Sequence, residues 1–154
     1  MGWYDNTWQY RQKITIDHTK VGADLTDYPV YVNLANVDSS IFMYARSDGG
    51  DIRITKTDGT TEVARQIVSF DNMGYSGELY FKAAGTLSSS TDTDYYIYYG
   101  KGAATEPSAS ATYGSQNVWE SNYKLVAHLE SNSNDSTSNA NNGSDTSVSY
   151  ATAG

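Results

Sequence analysis

Cysteine is absent from this 154-residue chain, so a disulfide framework, a thiolate metal site and a cysteine nucleophile are all excluded. That absence suits either a reducing compartment or a microbial surface protein that folds without bridges. Positive charge is scarce: Lys+Arg 10 against Asp+Glu 18 gives a net charge of -8. Such a surface repels phosphate backbones and anionic headgroups, which argues against nucleic acid and membranes as partners. No stretch approaches the roughly 18 consecutive apolar residues of a membrane span. The opening Met1-Gly2-Trp3-Tyr4-Asp5-Asn6-Thr7 lacks the basic and apolar regions of a signal peptide. A soluble protein is expected, exported if at all by a route or an upstream signal not encoded here. Histidine occurs only as His18 and His128, neither in a nucleophile motif, and there is no G-x-S-x-G elbow or H-E-x-x-H helix.

Aromatic residues, by contrast, make up 13% of a chain that is only 38% hydrophobic, with 14 Tyr among them. Disordered chains are poor in aromatics, so this composition indicates a folded domain with a polar surface. Up to about Gly100 the pattern is short alternating runs broken by turn residues. Ile14 and Ile16 alternate with polar neighbours, and Val30, Val32 and Leu34 share one face while Tyr31 and Asn33 point the other way. Ile52 and Ile54 precede Asp58-Gly59, a tight-turn pair, and then the run Glu62–Phe70. Leu79, Phe81 and Ala83 follow, and then Tyr95, Ile97 and Tyr99 alternate with Tyr96 and Tyr98. Only Asp38–Arg46 suggests a helical turn. The pattern predicts an all-β fold, an antiparallel, jelly-roll-like β-sandwich over residues 1–113.

Beyond this the composition changes. Residues 101–117 read as a connector, and 118–129 recover one strand-like run. From Ser131 the chain is almost wholly small and polar, with Val148 and Tyr150 its only large apolar residues. Residues 114–154 are thus expected to be a linker followed by an incomplete domain or an extended arm, with 131–154 ordered only by contact with another chain or domain.

Four segments carry a family resemblance: Trp8 with Tyr10–Asp17, Leu25–Val30, Ala45–Arg53, and Tyr96–Gly100. In order, they resemble an uncharacterised β-rich domain family of phage tail and virion proteins and of archaeal and bacterial surface proteins. Val118–Leu129 with Asp135–Gly143 looks like the truncated start of a concanavalin A-like, laminin G-like lectin domain, which commonly follows that family. The resemblance implies an extracellular, virion or cell-surface setting and supplies no catalytic residues.

The residues themselves offer few sites. Tyr96 and Tyr98, on the strand face opposite Ile97, and the N-terminal cluster Trp3, Tyr4 and Trp8 are candidates for stacking on a sugar or packing on a partner. Asp48 and Asp51 around a Gly-Gly turn offer hard oxygen ligands to a structural calcium, the one cofactor the sequence admits; Asp135, Asn139 and Asn141 offer a second set. The ordinary alternative for both is an Asx-turn. Most carboxylates lie in turn contexts, so no catalytic residue is assigned and the chain is read as no enzyme.

The leading expectation is a structural and adhesion module of a virion (phage tail or capsid decoration) or microbial cell surface. It would act through assembly with other subunits, as a homo-oligomer or as part of a larger assembly. A carbohydrate-binding module recognising surface polysaccharide is the alternative. A glycoside hydrolase fragment is the third reading, and it requires two facing carboxylates.

Overall fold

A computed structural model describes residues 2–150, so Met1 and 151–154, and the parts of the expected units that fall on them, lie outside the described residues. Seven strands dominate: β1 (Tyr10–Ile16), β2 (Leu25–Asn33), β3 (Arg53–Lys56), β4 (Glu62–Val63), β5 (Arg65–Asp71), β6 (Ser76–Leu87) and β7 (Thr93–Tyr99). They form two antiparallel sheets, ordered β1-β7-β3-β4 and β2-β6-β5. The fold is an all-β sandwich. A short helix, α1 (Ser40–Tyr44), buries Ile41 and Phe42 against one end of the core.

The period-2 alternation read along the strands is what fills the interior. Tyr95, Ile97 and Tyr99 of β7 face Ile54, Leu79 and Phe81 in one apolar core, while Tyr96 and Tyr98 belong to a second cluster on the outer face of the four-stranded sheet. Asp58-Gly59 turns β3 back onto β4 as expected, pairing Ile54 with Val63. Gly59 has φ 76, and a Cβ there would stand 2.4 Å from the Gly2 carbonyl oxygen, so only glycine fits.

Two expectations are corrected. The run Glu62–Phe70 is not one strand. It breaks at Ala64, with Val63 pairing in the first sheet and Arg65 pairing with Phe81 in the second. The chain changes sheets at this corner, where the Ala64 carbonyl accepts Lys82 N–H and the Arg65 side chain lies fully inside. Residues 118–129, expected as strand-like, are irregular after a 3-10 turn at Ser115–Val118. Their backbone bonds go to a polar loop instead: Val126 N–H donates to Asp135 Oδ1 and the Val126 carbonyl accepts Ser136 N–H.

Each outer face of the sandwich is covered by the chain's own terminal segment. Residues 2–8 lie over β7 and β3, where Trp3 and Tyr4 meet Tyr98. On the opposite side Trp119 and His128 lie against Tyr80 of β6, at ring separations of 5.1 and 5.4 Å. The described part of the Ser131–Tyr150 segment is thus joined to the body, with Gln66 Nε2 donating to Ser136 Oγ.

Candidate functional site

The five candidate aromatic residues do come together, but as packing within the chain. Trp3 meets Tyr98 edge-on at 5.4 Å, and Tyr4 lies 4.9 Å from Trp8 and 5.8 Å from Tyr98. Trp8 Nε1 donates to the Asp51 carbonyl at 2.7 Å, and Tyr98 Oη donates to the Gly59 carbonyl at 2.9 Å. Cations close the cluster from above: Lys101 Nζ sits 4.1 Å from the Trp8 ring, and the Arg11 guanidinium 4.7 Å from both Trp3 and Tyr96. Tyr98 is fully buried and Trp8 and Tyr96 nearly so, leaving Trp3, 40% exposed, as the open ring of the group. Trp8, Tyr96 and Tyr98 are covered, and Tyr4 is half-buried beside Trp3.

Beneath the arm runs a buried ionic network. Tyr4 Oη donates to Glu62 Oε2, and Glu62 faces Arg53 at 3.3 Å. Burial and the adjacent Glu62 carboxylate raise the Tyr4 pKa, while burial raises that of Glu62 itself against the pull of Arg53. Arg65 Nε donates to the Ile52 carbonyl at 2.5 Å and Arg65 Nη1 to Glu106 at 2.6 Å. These bonds tie the arm and the 101–106 connector to the corner where β4 passes into β5.

The candidate calcium ligands hold the backbone. Asp51 is fully buried; its Oδ1 accepts Arg46 N–H, and its Oδ2 accepts the N–H groups of Gly100 and Lys101. Asp48 engages the Arg46 guanidinium and Gly50 N–H. Asp48 caps its own turn as an Asx residue does, whereas Asp51 joins amides distant in sequence, and neither presents an uncommitted pair of oxygens. Asp135 does the same in the C-terminal loop. Burial would raise its pKa, but bonds from the amides of Thr137, Val126 and Asn141 outweigh that and bring it to about 2. Asn139 and Asn141 donate to the carbonyl of Lys124. Asp17, His18 and Asp92 also gather at the surface, where Asp92 accepts His18 N–H and lies 2.7 Å from its Nδ1.

Two surfaces were not anticipated. The first is an apolar pole. Met43 and Tyr44 at the end of α1, and Met73 and Tyr75 in the β5–β6 turn, are 57%, 49%, 83% and 49% exposed. The two loops are joined underneath by Phe42, 5.7 Å from Tyr75 and 5.4 Å from Phe70. The only sequence signal was that α1 and this turn each carry large apolar residues beside polar ones, where a core helix or a polar hairpin turn was the simpler reading.

The second surface is a polar cleft of about 360 Å3 between β5 and residues 128–136, with Gln66, Ile67 and Val68 on one wall and Gln116 at its end. His128 lines it; burial lowers its pKa, and its Nε2 is shut from solvent without a hydrogen-bond partner. Nothing in the sequence spacing brings Gln66 and His128 together.

No family model, no curated protein and no solved structure matches the chain.

Proposed function

We propose that the chain is a non-enzymatic structural module of a virion or microbial cell surface that works by assembly with other subunits through its apolar pole. The observation that carries this reading is the exposure of Met43 and Tyr44 on α1 and of Met73 and Tyr75 on the β5–β6 turn, two segments that Phe42 links through its contact with Tyr75. Contiguous exposed apolar surface marks interaction sites, and the unbranched Met side chain adapts to a partner's contour. The virion or cell-surface setting rests on the resemblance of Tyr10–Asp17, Ala45–Arg53 and their companion segments. The partner is another subunit, a second copy of this chain included, and the contact is apolar because a chain of net charge -8 repels its copies.

Sedimentation velocity of the full chain tests this. Concentration-dependent association that survives added salt is expected, and the double variant Met43→Ser, Met73→Ser should sediment as a monomer with its thermal midpoint unchanged, because both side chains already stand largely in water. Association by the variant equal to that of the original chain would reject the pole as the interface.

A further inference from the structure

The cleft between β5 and the 128–136 segment carries an inference independent of the assembly reading. Its volume of about 360 Å3 stands at the lower end of the roughly 300–1,000 Å3 typical of small-molecule sites. One or two rings fit within it. No Lys or Arg is among its lining residues, so nothing there compensates a phosphate, sulfate or carboxylate. Its acidic groups are Glu130 and Asp135. Asp135 is spent: Oδ1 accepts from Val126 N–H and Thr137 N–H, and Oδ2 from Thr137 Oγ1 and Asn141 N–H. A cation would therefore meet a single free carboxylate, too few oxygens for a hard ion.

What remains in the lining is neutral and two-handed. Gln66 and Asn132 are held in place by bonds to Trp119, Ser136 and Ser131, whereas the side-chain amides of Gln116 and Asn134 make no hydrogen bond among the described residues. Each free amide offers both donors and an acceptor, the complement of a vicinal hydroxyl pair. Beside them Val68 and Leu129 supply an apolar patch, and Leu129 is 57% exposed with φ 61. A bulky non-glycine residue in the left-handed region, with its side chain in water, is a conformation that packing alone does not favour. Free amides alternating with a small apolar patch match the hydroxyl edges and C–H face of a pyranose.

We infer that this cleft binds a neutral, hydroxyl-rich ligand, one or two sugar rings of a glycan, with Gln116 and Asn134 bonding its hydroxyls and Leu129 covering its C–H face.

The test is a glycan array bearing neutral, sialylated and sulfated glycans, probed with the labelled full chain, followed by titration of the best-bound glycan. Signal on neutral glycans is expected. In Leu129→Gly, where glycine relaxes the φ of 61, the thermal midpoint should hold or rise while affinity for that glycan falls by roughly fivefold or more. Asn134→Ala, at an exposed position, provides a second variant whose fold is not at stake, with a similar loss expected. A blank array, signal confined to sialylated or sulfated glycans, or unchanged affinity in both variants would each overturn the assignment.

Discussion

Arg65 shows at the scale of one residue how a polar group can organise a core. Its side chain is fully buried, and its guanidinium spans the Ile52 carbonyl, the Gly50 carbonyl and Glu106. Glu106 is 45% exposed, so losing its partner leaves a carboxylate that water can solvate. Both carbonyls also accept from Arg53 Nη1, at 2.9 Å for Gly50 and 2.7 Å for Ile52, so removing Arg65 leaves each with one donor, and what is lost is a set of buried charge-assisted bonds. Loss of its bonds to the Ile52 carbonyl and Glu106 together should make Arg65→Met lower unfolding free energy by about 1.5–3 kcal/mol in urea titrations, while Glu106→Gln costs under about 1 kcal/mol. Equal losses in the two variants would place the energy in the ion pair instead. Across the break at Ala64 the two-residue period persists, with Val63, Arg65 and Ile67 each paired with a core residue, so the arginine takes an inward position that its neighbours on that face fill with apolar side chains.

The Asp58-Gly59 turn illustrates what an element inherits from local sequence. Bonds from the Thr61 hydroxyl, Thr61 N–H and Thr60 N–H bring the Asp58 pKa from 3.8 down to about 2. A carboxyl whose folded pKa is depressed contributes stability above its unfolded value, and that contribution disappears as pH falls through the folded value. The Asp58→Asn chain, which keeps the acceptor oxygen but not the charge, should thus be less stable than the original at about pH 6 and match it near pH 2. A gap that stays constant with pH would rule out the titration. Such turns, and the strands whose alternation sorts Ile14, Ile54 and Ile97 inward, were legible because their signals lie within a few residues. The sheet crossing at Ala64 was not, because what lies beside it is distant in sequence, with Arg65 bonded to Glu106, 41 residues away along the chain. Nor was the burial of Trp8, which depends on the Asp51 carbonyl 43 residues on. The candidate aromatic residues read from sequence as two sets, Tyr96 and Tyr98 on one strand and Trp3, Tyr4 and Trp8 at the N-terminus; that the two sets meet is decided by contacts between distant segments. The cleft escaped notice for the same reason, its walls being β5 and the distant segment that begins at His128.

At the scale of the whole molecule, the two terminal segments cover opposite faces of the sandwich on different physical terms. The C-terminal segment attaches through half-buried rings and many loop hydrogen bonds of its own, with Trp119 Nε1 donating to Gln66 Oε1 as its anchor. The N-terminal arm instead shields a nearly closed aromatic cluster, and Trp8 at 6% exposure is itself part of that core. Removing residues 2–8 would open Tyr96 and Tyr98 to water, leave Glu62 without the Tyr4 hydroxyl and free the Arg11 bond to the Gly2 carbonyl. Burial of an aromatic side chain contributes about 1.5–3 kcal/mol, so exposing this group should cost several kcal/mol, a large part of the 5–15 kcal/mol typical of a domain. Ending the chain at Glu120 keeps Trp119 and its bond to Gln66, and should lower the urea midpoint far less. The two shortened chains, compared by urea unfolding and by binding of a hydrophobic dye, decide the matter. Loss of the arm should drop the midpoint sharply and raise dye binding. Were the arm dispensable and the C-terminal segment essential, the order of the two midpoints would reverse, and the fold would be centred on β5 and β6 rather than on the Trp8 face.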